Sequence, residues 1–141
     1  MDRTANAVWT GDLKSGKGTL TTQSGVLKET AYSFHTRFED GAGTNPEELI
    51  GAAHAGCFSM ALSMILGNAG LTADRIATKA TVTMVPVDGT PTVTKIHLDL
   101  TAKIPGADQA AFEKAANDAK AGCPISRLLK AEITMTATLE A

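Results

Sequence analysis

Cysteine and concentrated charge are both scarce in this sequence, and each scarcity narrows what the chain can do. It holds two cysteines, Cys57 and Cys123, among 141 residues. Two are too few for a cysteine-built metal centre, and His35, His54 and His97 are scattered, so no metal site is expected. In a chain that is not exported, two thiols read as free or as a redox pair rather than as a structural staple. Basic runs are missing and the net charge is −2, which argues against nucleic acid or an anionic membrane as the main partner. Met1 leads into polar residues with no apolar h-region, so no secretory signal is visible and the expected location is cytoplasmic. Internal repeats, low-complexity tracts and long linkers are lacking too. The expectation is one domain over residues 1–141, able to hold a core without staples.

Charge is missing altogether from Leu49 to Leu66, and this stretch organises the rest. Asn45 is a good N-cap, Pro46 suits the first helical position, and Glu47 and Glu48 complement a helix start. One long helix is predicted, ending around Asn68–Gly70 at two residues that suit a helix stop. A helix apolar on nearly every face belongs at the centre of a domain or of an assembly. The cap, the mid-chain position, His54, the serines and the small residues argue against a membrane span. Gly51 and Gly56 each cost about 1 kcal/mol of helix propensity, which points to a close approach that they permit.

Around this helix, Ala5–Thr10 and Gly18–Thr22 read as short strands with a turn between them. Tyr32–Phe38 alternates, with Tyr32, Phe34, Thr36 and Phe38 on one face and Ser33, His35 and Arg37 on the other, and is expected to be a third strand. Ile76–Val85 and Val93–Ile104 form a hairpin across Asp88-Gly89. Asp108–Ala121 is a second helix, Cys123–Leu129 a short one with Pro124 in its first turn, and Glu132–Leu139 a closing strand. Short turns between adjacent strands favour antiparallel pairing, so the class is α+β.

Cys57 has two readings. A free cysteine in an apolar helix packs as a small hydrophobe, and burial raises its pKa and makes it inert. To react, it needs a positive partner from elsewhere in the chain. Cys123 lies between a helix stop and Pro124, where a helix start favours thiolate, or else is a core cysteine at a corner. Arg37 is either the cation that reaches a buried thiol or an exposed residue on a wet sheet face. Glu47 either holds that arginine or complements the helix dipole. His54 shares a helix face with Cys57, which leaves open a Cys–His thiol hydrolase or a packed histidine. Phe58, Met60 and Met64 either line a site for an apolar substrate or are ordinary core.

The blocks Thr36-Arg37-Phe38-Glu39, Thr44 through Ser63, and Ala121-Gly122-Cys123-Pro124-Ile125-Ser126 closely resemble the osmotically inducible branch of the OsmC/Ohr peroxidases. The resemblance runs from Trp9-Thr10-Gly11-Asp12 to Lys130-Ala131-Glu132-Ile133-Thr134, and the central block is long and specific. It implies an OsmC-like fold, with antiparallel sheets around long central helices in an intertwined homodimer, and active sites at the interface. It implies thiol-dependent reduction of hydroperoxides, organic ones preferred, with no cofactor, metal or haem. Position by position, Cys57 is the peroxide-attacking cysteine, Cys123 the resolving one, and Arg37 with Glu47 the supporting ion pair. In the Ohr branch the arginine comes from an earlier strand, so Arg37 follows the OsmC branch. An external dithiol or a lipoyl-bearing protein is the implied reductant. A non-catalytic stress or ligand-binding dimer is the reading of a different class. Glu47 and Cys57 lie roughly 15 Å apart along one straight helix. Either Arg37 bridges that gap within a chain, or an antiparallel second copy supplies Glu47, which is the favoured expectation.

Overall fold

Short strands joined by tight polar turns make the N-terminal part of the chain. The computed structural model describes residues Met1–Ala141 as two compact units, Met1–Leu49 and Ile50–Ala141. In the first, β1 (Ala5–Thr10), β2 (Lys17–Thr22) and β3 (Thr30–Tyr32) pair antiparallel in chain order. The β1–β2 turn is closed by the Asp12 carboxylate, which accepts from the backbone amides of Lys14 and Ser15, both at 2.9 Å. Gly18 is needed for close approach, because a Cβ there would fall 2.3 Å from the Tyr32 ring. Trp9 packs on the same ring with centroids 5.5 Å apart.

The predicted strand Tyr32–Phe38 is not one. The strand ends at Tyr32, and Phe34–Phe38 is a short helix, α1. A reciprocal capping box starts it: Ser33 Oγ accepts from Thr36 N, and Thr36 Oγ1 accepts from Ser33 N at 2.8 Å. Phe34 and Phe38 alternate at even spacing, but they are also four apart. Helical geometry stacks them with centroids at 4.8 Å. Arg37 therefore projects from a helix turn and not from a sheet face.

The long helix is as expected. α2 (Pro46–Asn68) is capped by Asn45, whose Oδ1 accepts from Glu48 N at 2.8 Å while its Nδ2 donates to the Thr36 carbonyl. Its body belongs to the second unit, with β4 (Arg75–Val87), β5 (Thr90–Lys103), α3 (Gln109–Gly122), α4 (Pro124–Leu128) and β6 (Glu132–Glu140). β4 and β5 form the expected hairpin. Asp88 and Gly89 both have positive φ, at 50° and 79°, as a two-residue turn matched to strand twist requires. β6 pairs with β5 in parallel, so the all-antiparallel expectation is corrected for this sheet. A parallel neighbour needs a long crossover, and α3 and α4 supply it.

Alternation along the strands feeds the core. Ile96, Leu98 and Leu100 of β5 are buried, and Ile133, Met135, Ala137 and Leu139 of β6 pack beside them. α3 adds Phe112, Ala115, Ala116 and Ala119, a helical stripe, and α2 adds Phe58, Leu62 and Leu66. Each large side chain so buried contributes about 1.5–3 kcal/mol. Yet α2 buries only one face in this chain, through Gly51, His54, Phe58, Leu62 and Leu66. Met60 and Met64 stand 77% and 63% exposed, and a Cβ on Gly56 would meet nothing within 4 Å. By length and composition α2 could also cross a membrane.

Candidate active site

The break between α3 and α4 places the first set of functional groups. α3 stops at Gly122, Cys123 is extended, and Pro124 opens α4, so Cys123 serves as the N-cap of α4. Its Sγ accepts from Ser126 N at 3.4 Å and lies 3.3 Å from Ser126 Oγ. Ser126 Oγ is in turn 2.7 Å from Nε2 of His54 on α2. Cys123 and His54 are both completely buried.

Cys57, one turn after His54, joins this group. It packs against the core half-buried, beside the Cys123 thiol and the backbone amide of Ile125. Burial pushes the Cys57 thiol above its usual pKa; the Ile125 amide opposes the rise and the neighbouring Cys123 thiol adds to it. Both cysteines are free thiols. The fold thus brings together two thiols 66 residues apart in sequence (123 − 57), as a sulfenate-to-disulfide reaction requires.

The second set lies at the end of the N-terminal unit. Arg37 on α1 meets Glu47 in the first turn of α2. Its Nε donates to both carboxylate oxygens, at 3.1 and 3.2 Å, and its Nη2 donates to Oε1 at 2.7 Å. A forked, charge-assisted contact of this kind fixes the plane of the guanidinium as well as its place. The Arg37 guanidinium carbon also sits 5.3 Å from the Phe38 ring centroid. It borders an open cleft of about 290 Å³, lined mainly by Trp9, Leu13, Tyr32, Phe34, Phe38 and Pro46.

Of the residues expected at a site, Cys57 and Cys123 meet, and Arg37 and Glu47 meet. The apolar trio divides: Phe58 is fully buried in the core, whereas Met60 and Met64 face outward from α2. Phe58 presents no surface to a substrate and backs the helix instead. His54 does not pair with Cys57. Its Nε2 is committed to Ser126, and its Nδ1 has no hydrogen-bond partner, so the geometry of a Cys–His nucleophile pair is absent. Ser126, Trp9 and Tyr32 were not among the expected site residues. Any residue three places after Cys123 returns its backbone amide to that N-cap, so no signal in the sequence marked the Ser126 hydroxyl, whose partner His54 is distant in the chain.

Comparison with known proteins bears on this arrangement. The family model described as OsmC-like protein matches residues 39–138. Peroxiredoxin OsmC of Escherichia coli (strain K12) is 53% identical over 135 residues, covering 96% of this chain and 94% of that protein. Among solved structures, an OsmC-like protein from Mycoplasma pneumoniae superposes with a TM-score of 0.78 at 15% identity, over 100% of this chain and 99% of that one. The organic hydroperoxide resistance protein OhrB of Bacillus subtilis gives 0.69 at 23%, over 97% and 98%. Those two likenesses concern the fold. The Escherichia coli match spans the Arg37–Glu47 pair and both thiols, the family model spans Glu47 and both thiols, and by them this chain belongs to the OsmC family.

Proposed function

We propose that this protein is a cysteine-based peroxidase that reduces organic hydroperoxides, and hydrogen peroxide less well, in defence against oxidative or osmotic stress. The observation that carries the reading is the juxtaposition of Cys57 with Cys123 in a family whose Escherichia coli member is named a peroxiredoxin. Burial alone leaves Cys57 protonated, so the Arg37 guanidinium is assigned as its positive partner, held in plane by Glu47. An opposite charge at ~4–6 Å lowers a thiol pKa by about one to three units. The Cys57 thiolate attacks the distal peroxide oxygen, the O–O bond breaks, and the alkoxide leaves as alcohol after taking a proton. The guanidinium steadies the charge on the departing oxygen. Cys57 is left as a sulfenic acid, which Cys123 converts to a disulfide with loss of water. An external dithiol or a lipoyl-bearing protein then restores both thiols.

The aromatic cleft beside Arg37 offers the alkyl group of a hydroperoxide an apolar lining, with Met60 and Met64 of α2 as further candidates. That lining gives a physical reason to prefer ROOH over hydrogen peroxide. The bare faces of α2 are assigned to a second copy of the chain in a cytoplasmic homodimer, where Arg37 and Glu47 of one protomer serve Cys57 of the other. Consumption of cumene hydroperoxide with dithiothreitol as reductant tests the assignment: catalytic turnover is expected. Ester cleavage without dithiol would instead indicate a thiol hydrolase, and inertness in both assays a binding protein.

A further inference from the structure

The His54–Ser126–Cys123 chain has no role assigned to it in the attack of Cys57 on peroxide, and it is costly to build. The His54 imidazole is buried on α2 along with Phe58 and Leu62, and the buried Ser126 hydroxyl is bonded to it, where apolar side chains would pack without desolvation cost. One ring nitrogen, Nδ1 of His54, is buried with no partner at all. That orphan fixes the tautomer. A buried N–H without an acceptor is rarer and costlier than a bare lone pair, so Nδ1 carries the lone pair and Nε2 carries the hydrogen. Nε2 then donates to Ser126 Oγ across the 2.7 Å contact. Ser126 has a single hydroxyl proton, and with its oxygen already accepting from His54 that proton is free for Cys123 Sγ at 3.3 Å. Ser126 N donates to the same sulfur at 3.4 Å. Two donors from one residue therefore converge on Cys123, and His54 aims one of them.

We propose that Ser126 and His54 serve the resolving half of the cycle, Ser126 by donating from both its hydroxyl and its amide to the Cys123 sulfur and His54 as the positioning residue that orients the hydroxyl. The inference rests on the peroxidase reading, in which Cys123 attacks the Cys57 sulfenic acid. In that step Cys123 gives up its proton and its sulfur attacks the Cys57 sulfur. The S–S bond forms, the Cys57 S–O bond breaks, and the departing hydroxide takes up the proton as water. The Cys57 sulfur is reduced and the Cys123 sulfur oxidised, with no further reagent. The attacking species is the thiolate, and hydrogen bonds to a sulfur anion favour that form. Burial holds the His54 pKa below its usual value, so the imidazole stays neutral and acts by direction, not charge.

The test separates the two half-reactions. The full-length protein is mixed with one equivalent of cumene hydroperoxide, and samples quenched over time are analysed by mass spectrometry. Dimedone traps the Cys57 sulfenic acid, and the Cys57–Cys123 disulfide is counted directly. His54→Met keeps the volume and removes the donor, whereas His54→Gln retains an N–H near the Nε2 position. The ratio of the resolving rate to the oxidation rate is expected to fall about tenfold in His54→Met and in Ser126→Ala, the size of one lost hydrogen bond. His54→Gln should recover most of it. A merely structural histidine would make Met as good as Gln, and that result overturns the proposal, as does an unchanged ratio in Ser126→Ala. A misfolded variant slows both half-reactions; if the trapped sulfenic acid never outlives that of wild type in any variant, the proposal also fails. A wild type that consumes peroxide and forms no such disulfide would overturn the parent reading, and this one with it.

Discussion

Cys57 starts from an unfavourable position, since burial and the Cys123 thiol both push its pKa up and only the Ile125 amide pulls it down. On the proposed reading the burden of activation falls on Arg37. Arg37→Ala should raise the pH at which Cys57 is alkylated by iodoacetamide by about one to three units. Arg37→Lys keeps the charge and loses the fork that Glu47 grips, so peroxide turnover should fall at least about tenfold. Superimposable alkylation profiles for wild type and Arg37→Ala would remove Arg37 from the site. Between the thiols, Cys57→Ser should abolish turnover. Cys123→Ser should complete one oxidation and then accumulate a Cys57 sulfenic acid detectable with dimedone. His54 has a separate signature in stability. Its folded-state pKa lies below the usual 6.5, so below that pH the unfolded chain binds a proton that the folded chain refuses. Stability should fall as pH drops from 6.5, by at most about 1.4 kcal/mol per unit. Denaturant titrations at pH 7 and pH 5 should show that loss in wild type and a smaller one in His54→Met.

α1 carries Arg37, and on the proposed reading it is the element that aims it. It is five residues long, too short to persist by propensity, and depends on the Ser33–Thr36 capping box and the Phe34–Phe38 stack. Ser33→Ala removes a cap worth about 1 kcal/mol. It should lower peroxide turnover severalfold while moving the thermal midpoint by only a few degrees; wild-type turnover would show that α1 does not position Arg37. The same element shows why sequence reading stopped where it did. Asn45-Pro46-Glu47-Glu48 announces α2 because cap, proline and acidic residues all speak to one helix start. Phe34, Thr36 and Phe38 satisfy a strand period and a helix period alike, and the box that decides between them uses threonine where glutamate is the familiar signal. The alternation of Ile133, Met135, Ala137 and Leu139 identified β6 and its buried face. Alternation carries no information on strand direction, so the parallel pairing with β5 became visible only with the α3–α4 crossover. The blocks that hold Cys57, Cys123, Arg37 and Glu47 pointed to the two pairs that the folded chain brings into contact. Ser126 was not legible, because its partner His54 is 72 residues away and only the folded chain joins them.

At the scale of the whole molecule, α2 is the unfinished element. Its apolar faces carry Met60, Met64 and the open side of Gly56, and this chain supplies nothing to cover them. With a second copy as the cover, each active site draws on two protomers. Mixing inactive Glu47→Ala and Cys57→Ser proteins under conditions that exchange subunits should then restore activity, towards half of wild type per heterodimer. One site of each heterodimer would hold both residues and the other neither. Absence of recovery despite confirmed exchange would place Glu47, and Arg37 with it, in the chain whose Cys57 they serve. The central claim of the proposed mechanism is that the two oxidising equivalents of the peroxide pass through a Cys57 sulfenic acid into a Cys57–Cys123 disulfide, and that the oxygen Cys57 takes up leaves as water. The most direct measurement titrates the reduced protein with cumene hydroperoxide and counts free thiols, disulfide and alcohol together. One equivalent per chain should consume both thiols, yield one Cys57–Cys123 disulfide and release one equivalent of the alcohol. Peroxide left intact, or consumed with both thiols still free, would contradict it.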